Sequence, residues 1–102
     1  MITANDITSR CPVSERPFYV VFRRGSDHET GAPFWSGGSL ANDQSEALFK
    51  ANEPPVYPDA AYDCFVLATT FDEAVALNRL GQRFTDAEVA IYRSPYPAMA
   101  AE

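Results

Sequence analysis

The segment from Ala61 to Arg93 constrains the fold more than any other part of the chain. Its first residues, AYDCFVLAT, have the apolar and β-branched character of a strand. Thr70 and Glu73 have the spacing of a helix N-cap and its reciprocal glutamate, and Gly81 is suited to end the helix AVALNRL. The residues EVAIYR then predict a further strand. We therefore predict a C-terminal strand-helix-strand unit, with a right-handed crossover if both strands share one sheet.

The N-terminal half predicts a strand and the start of a hairpin. Residues 17–24, PFYVVFRR, are β-branched and aromatic, and they are apolar on both faces until Arg23. Such a strand is central in its sheet or covered on both sides. The residues GSDHETGAP form a turn, and Phe34-Trp35 predict a short second strand of a hairpin.

A second helix is predicted from Asn42 or Asp43. Asp43 and Glu46 have capping-box spacing, and the apolar residues that follow supply a helical stripe. The helix ends by Asn52, because the sequence Glu53-Pro54-Pro55 stops it.

These elements predict a small α+β fold: one domain over residues 1–102, with a three- to four-stranded mixed sheet and two helices. Residues 1–12 and 95–102 are expected to be flexible tails. The predicted core consists of the apolar side chains of the strands: Phe18 or Tyr19, Val20, Phe22, Phe65, Leu67, Val89 and Ile91.

The negative charge of the chain is concentrated in its middle. Nine Asp and Glu face only Lys50 between Gly25 and Asn78, a net charge of −8 in a chain whose total is −6. Such a surface repels nucleic acids and attracts a basic protein surface. We therefore predict a protein partner with a basic surface and no direct nucleic-acid binding. At least five of these nine carboxylates should lie exposed on one contiguous face.

The acidic segment has two interpretations. It is either a surface that maintains solubility, or a decoy whose carboxylates imitate a phosphate backbone while exposed Tyr and Trp side chains supply binding energy. On the second interpretation the candidate partner-binding residues are Asp27, Glu29, Trp35, Asp43, Glu46, Glu53, Tyr57, Asp59 and Asp63.

The residues that commonly carry chemistry form no recognisable site. His28 is the only histidine, and Cys11 and Cys64 form no CxxC or paired metal-binding motif. We predict no catalytic residue, cofactor or metal. The N-terminus lacks the layout of a secretory leader and no apolar run has the length of a membrane span, so a soluble, cytoplasmic protein is expected. The alternatives are a small enzyme or enzyme subunit with an unrecognised site, and a structural interaction subunit; the oligomeric state is open.

Two resemblances bear on the partner. Pro54-Pro55-Val56-Tyr57 is similar to the P-P-x-Y peptide ligand of WW domains, although a helix stop followed by an extended linker explains the same residues without a partner. In its short length, acidity, many aromatic residues and lack of motifs, the chain also resembles small phage-encoded inhibitors such as anti-CRISPR proteins. This resemblance implies a viral, non-enzymatic inhibitor, a nucleic-acid mimic that occludes a nucleic-acid-binding surface of its partner.

Overall fold

A computed structural model of the protein describes residues 2–12, 14–53, 63–79 and 82–93. These residues form one compact α+β domain with a four-stranded mixed sheet, as predicted, and three α-helices, one more than predicted. The strands are β1 (Thr8–Ser9), β2 (Phe18–Ser26), β3 (Pro33–Ala41) and β4 (Cys64–Thr69). The helices are α1 (Gln44–Ala51), α2 (Phe71–Leu77) and α3 (Asp86–Arg93), and a short 3-10 helix at Ala4–Asp6 precedes them.

The sheet has the order β1-β4-β2-β3, so β2 is a central strand as its sequence predicts. It pairs antiparallel with β3, which makes the predicted second strand of the hairpin longer than Phe34-Trp35 alone. It also pairs antiparallel with β4, whereas β1 pairs parallel with β4. Within residues 1–12, which are predicted to be a flexible tail, Thr8 and Ser9 form the edge strand β1 and the Arg10 N–H donates to the Ala68 carbonyl at 2.7 Å. Residues 95–102 lie outside the described part of the chain.

Each face of the sheet carries its own apolar cluster. Helix α1 covers one face, where the buried residues are Val21, Ala41, Ala47, Ala51 and Val66. Helices α2 and α3 cover the other, where the buried residues are Val20, Phe22, Trp35, Phe65, Leu67, Leu77, Phe84 and Val89. A central strand covered on both faces is apolar in successive residues, which is the pattern of Val20, Val21 and Phe22.

Most of the predicted core residues are buried. The Phe22 and Phe65 rings stack with centroids 4.8 Å apart and an interplanar angle of 5°, at the centre of the face covered by α2 and α3. Val20, Leu67 and Val89 are buried with them, while Phe18 and Tyr19 are half-buried. Ile91 is the exception, because 62% of it is exposed.

Helix α1 begins and ends where its sequence predicts. The Asp43 side chain accepts from the Glu46 N–H at 2.8 Å, and Glu46 Oε1 accepts from the Asn42 N–H at 2.9 Å. These bonds satisfy backbone donors that a helix start leaves without partners. The last helical residue is Ala51, so the helix stops ahead of the prolines.

Helix α2 has the predicted start but a shorter body. The Thr70 hydroxyl accepts from the Glu73 N–H, which confirms the N-cap. The helix ends at Leu77, and Gly81 lies outside the described residues. Asn78 donates its side-chain amide to the Gly37 carbonyl, which fixes the helix end against β3. At Gly37 a β-carbon would lie only 2.3 Å from the Leu77 carbonyl oxygen, so the close approach of α2 requires glycine there.

The predicted strand EVAIYR is wrong, because these residues belong to α3. Thr85 and Glu88 form a reciprocal capping box, with N–H to side-chain distances of 2.9 and 3.1 Å. The helical period buries Val89, half-buries Tyr92 three residues later and turns Ile91 to the surface. The C-terminal unit is therefore strand, helix, helix.

The outer edge of β3 is protected by side chains and by one short bridge. Trp35 exchanges two backbone hydrogen bonds with Phe84, each 2.8 Å long. Asn78 donates to the Gly37 carbonyl, and Lys50 Nζ donates to the Leu40 carbonyl at 2.7 Å. These contacts occupy backbone groups that would otherwise pair with another strand.

Every helix among the described residues is too short or too polar to cross a membrane.

Candidate protein-binding surface

Four of the eight described carboxylates of the acidic segment lie at opposite ends of the sheet. Asp27 and Glu29 are in the turn between β2 and β3, which we call the hairpin end. Asp43 and Asp72 are at the starts of α1 and α2, which we call the helix-start end. The nine residues of β3 separate the two ends by about 26 Å at ~3.3 Å per residue. This exceeds the Debye length of about 8–10 Å at physiological salt, so the two groups act separately. The structure does not support a single contiguous acidic face.

Arginines neutralise much of the charge at the hairpin end. Asp27 pairs with Arg83 at 2.7 Å and also accepts the backbone N–H groups of Glu29 and Thr30. The Arg83 guanidinium, followed by these N–H donors, holds the pKa of Asp27 well below its usual range. The carboxylate of Asp27 is therefore committed to the fold, and Glu29 is the exposed acid of this turn.

A second ion pair at this end connects β2 to α3. Asp86 accepts from Arg24 at 3.2 Å and from the Trp35 indole N–H at 2.6 Å. Arg24 first and Trp35 second lower the pKa of Asp86. Trp35 is only 3% exposed because its ring packs in the core while its indole N–H donates to the Asp86 carboxylate at the edge of the core. The expectation that Trp35 offers an exposed aromatic surface is wrong.

The helix-start end keeps exposed carboxylates beside exposed apolar side chains. Phe71 follows the N-cap of α2 and is 58% exposed, and Val75, one turn later on the same side, is 45% exposed. The Phe71 ring meets the half-buried Phe18 ring edge to face, with centroids 5.1 Å apart. Asp72, beside Phe71, is exposed. We call Phe18, Phe71 and Val75, with the carboxylates of Asp43 and Asp72, the helix-start patch.

Two cavities open at the helix-start end and share Pro17. The smaller, of about 290 Å³, is lined by Phe18 and Phe71 together with residues of the neighbouring loops, Arg16, Pro17 and Asn42. The larger, of about 410 Å³, lies on the α1 side between the N-terminal segment and the sheet, and Tyr19 and Cys11 are among its lining residues. Asn42 precedes Asp43, so the smaller cavity brings the start of α1 next to the aromatic pair.

The remaining predicted site residues are dispersed. Glu46 caps α1 and pairs with Lys50 at 3.4 Å. Glu53 is exposed beyond the end of α1, and Asp63 is exposed just before β4, where its carbonyl accepts from the Arg24 N–H. Tyr57 and Asp59, and the whole of Pro54-Pro55-Val56-Tyr57, lie outside the described residues.

The helix predicted after Thr70 has Phe71, Ala74, Val75 and Leu77 on one broad apolar arc of a helical wheel, so periodicity alone indicates that all four are buried. The helix is shorter, and Ala74 and Leu77 are its buried residues. Phe71 and Val75, to one side of these two, remain largely exposed. A signal was present: Phe71 directly follows an N-cap, at the first turn, where the sheet has already ended.

The groups that were considered for chemistry are spread over the molecule. Burial raises the pKa of the Cys11 and Cys64 thiols, which favours the protonated, poorly nucleophilic form. Both cysteines are free, and Cys64 Sγ contacts the Ala51 carbonyl at 3.5 Å. His28 is exposed in the hairpin turn. Within the described residues, His, Cys, Asp and Glu form no group of three that could hold a metal ion.

The chain matches no protein-family model, curated protein or solved structure.

Proposed function

We propose that the protein is a non-enzymatic protein-binding module that uses the helix-start patch to hold a partner with a basic surface. The observation that supports this proposal is the exposed Phe71 ring, which packs edge to face against Phe18 and lies next to Asp72. Protein interfaces commonly have an aromatic centre that carries most of the binding energy and a polar rim that sets orientation.

The aromatic pair is suited to be the centre of such an interface. Phe18 restricts the Phe71 ring before binding, so little side-chain freedom is lost when a partner covers it. Val75 extends the apolar surface along α2, and the cavity beside Phe71 offers space for a side chain of the partner. The patch is small, so we expect the interface to include neighbouring residues of the N-terminal segment.

The charge of the rim favours a basic partner. Asp43 and Asp72 stand at helix N-termini and take part in no ion pair among the described residues, in contrast to Asp27 and Asp86. Lys and Arg of a partner would therefore meet carboxylates without first displacing an arginine of this chain. Attraction between opposite charges raises the association rate and is screened by salt.

The finer form of the proposal is an inhibitor that covers a nucleic-acid-binding surface. The resemblance to small phage-encoded inhibitors such as anti-CRISPR proteins supports it, as does the net charge of −6. We propose that the helix-start end of the domain covers the partner's surface and that the Phe18 and Phe71 rings supply most of the binding energy. A long acidic face that imitates a phosphate backbone is not needed for this.

The test compares Phe71→Ala with Phe49→Ala as its matched control. Both positions are exposed phenylalanines on helices, at 58% and 72%, but Phe49 lies on α1, outside the patch. Wild-type and variant proteins are immobilised to isolate a partner from the native host, and its affinity for each is then measured by surface plasmon resonance. If the Phe71 ring contributes about 2 kcal/mol to the binding free energy, the affinity of Phe71→Ala for the partner should be about 30-fold lower than that of wild type. Phe49→Ala should bind with the affinity of wild type.

Salt dependence tests the charge part of the proposal separately. Asp72→Asn should slow association at low salt and change the dissociation rate little. Equal affinities of Phe71→Ala and wild type would refute the proposed surface. An affinity that is the same at low and high salt would refute the basic partner.

A further inference from the structure

We infer that a groove beside the edge of β3 binds a small dianion through Arg79 and Arg83. The groove is separate from the helix-start patch and has a volume of about 480 Å³, within the range of ligand pockets of about 300–1,000 Å³. Its lining consists of one aromatic residue, two glycines and five residues with donor side chains, from β3 and from the residues after α2: Phe34, Ser36, Gly37, Gly38, Asn78, Arg79, Gln82 and Arg83.

Arg79 is available to a ligand. It is exposed, and among the described residues no carboxylate lies within ion-pair distance of its guanidinium. The Gln82 N–H donates to the Arg79 carbonyl at 3.2 Å, which keeps these two residues together at one rim of the groove. The Gln82 side chain is exposed at the same rim and adds a neutral amide donor.

Arg83 is held in place yet only partly used. Its guanidinium lies 4.1 Å from the centre of the Phe34 ring, and its Nη1 pairs with Asp27. A guanidinium carries five N–H donors, so Nε and Nη2 remain for a second acceptor. An arginine fixed by stacking on an aromatic ring loses little freedom when it binds an oxyanion.

Of the two glycines in the groove, only Gly38 leaves space for a ligand. Gly37 is buried against the Leu77 carbonyl, whereas Gly38 is exposed and a β-carbon there would meet no atom nearer than 3.6 Å. A ligand can therefore approach the backbone of β3 at Gly38, beside the two arginines. Two guanidinium groups favour a doubly charged oxyanion, a phosphate monoester or a dicarboxylate, over a single carboxylate.

The Asp27 carboxylate lies against Arg83 and opposes the binding of an anion there. Removal of this carboxylate and removal of an arginine should therefore change the ligand affinity in opposite directions. In Asp27→Asn the remaining side-chain oxygen still accepts the backbone N–H groups that Asp27 Oδ1 accepts, from Glu29 and Thr30. The negative charge beside Arg83 is nevertheless lost, so that the ligand no longer shares the guanidinium with a carboxylate. Removal of Asp27 charge should therefore strengthen binding, whereas removal of Arg79 should weaken it.

The experiment is a titration of the full chain with inorganic phosphate and, separately, with succinate, followed by two-dimensional NMR at about 0.1 M ionic strength. We expect saturable shifts of the Gly37 and Gly38 amides with at least one of the two probes, and the tighter probe identifies the oxyanion class. Arg79→Gln should raise the dissociation constant about tenfold or more. Asp27→Asn should lower it about two- to fivefold, the effect of releasing a surface ion pair.

Arg16→Gln is the matched control, because it removes the same charge from an exposed arginine outside the groove. It should leave the dissociation constant within about twofold of wild type. Equal weakening by Arg16→Gln and Arg79→Gln would overturn the proposal in favour of unspecific attraction to positive charge. The proposal would also be overturned if neither probe reached saturation by about 10 mM, because a dissociation constant above this value corresponds to less than about 3 kcal/mol of binding free energy.

Discussion

The contact between α2 and β3 predicts different stabilities for alanine variants of two adjacent glycines, Gly37 and Gly38. A β-carbon at Gly37 would lie 2.3 Å from the Leu77 carbonyl oxygen, whereas real contacts of this kind begin near 3.0 Å. Gly37→Ala therefore requires the end of α2 to move by about 0.7 Å or more. At Gly38 the nearest atoms would be 3.6 Å away, an ordinary contact. Neither glycine has a positive φ, so alanine can adopt both backbone conformations.

The size of the effect follows from these contacts. Overpacking costs about 1–3 kcal/mol. Loss of the hydrogen bond from Asn78 to the Gly37 carbonyl adds about 1 kcal/mol. Replacing glycine by alanine also stabilises by about 0.4–1 kcal/mol through the unfolded chain, but this term is common to both variants. We therefore expect Gly37→Ala to be about 2–4 kcal/mol less stable than Gly38→Ala.

Urea unfolding followed by Trp35 fluorescence measures this difference. Trp35 is the only tryptophan and is buried, so its emission reports the loss of the core. With a slope of about 2 kcal/mol per M of urea, the middle of the usual range for small proteins, the two midpoints should differ by roughly 1–2 M. If Gly37→Ala unfolds within about 0.5 kcal/mol of Gly38→Ala, α2 does not end against β3 as described.

Three further predictions test the core, the ion pairs and the charge of the rim. Phe65→Ala should lower the unfolding free energy by about 3–5 kcal/mol in denaturant melts, whereas Ile91→Ala should lower it by less than about 1 kcal/mol because Ile91 is exposed. The pKa values of Asp27 and Asp86 are lowered in the folded protein, so the stability that both add is full above the ordinary Asp pKa of about 4 and is lost as the pH falls through the lowered values. The melting temperature should therefore fall with acid in wild type and fall less in Asp27→Asn with Asp86→Asn; parallel curves would contradict the ion pairs. Asp43→Asn with Asp72→Asn should slow association with the isolated partner at low salt and leave it unchanged at high salt, in stopped-flow measurements.

Local signals in the sequence determined much of the fold. The N-caps Asp43 and Thr70 make hydrogen bonds with nearby backbone groups, and the prolines after Asn52 remove helical donors, so both effects act within a few residues. The two-sided apolar pattern of β2 likewise indicates a central strand, which is its place in the sheet. A small α+β domain with a mixed sheet could therefore be predicted from the sequence.

Tertiary contacts decided what local signals left ambiguous. The residues EVAIYR suit a strand by composition, whereas the local capping box of Thr85 and Glu88 favours a helix. The burial of Val89 against the sheet decides between the two in favour of the helix. Two residues, Thr8 and Ser9, become a strand only because β4 supplies an edge to pair with. Sequence propensity is weak for such short segments, and the packing of the whole domain outweighs it.

The candidate site depended on tertiary structure most of all. The sequence showed an excess of carboxylates, but Arg83 and Arg24, distant along the chain, decide which of them are neutralised. Whether an aromatic ring is buried or exposed also depends on where the sheet ends: Trp35 lies beneath Phe84 and α3, while Phe71 lies beyond the last residue of β4. Composition fixes how much charge and apolar surface a chain carries, whereas contacts between distant residues fix which part of it a partner or ligand can reach.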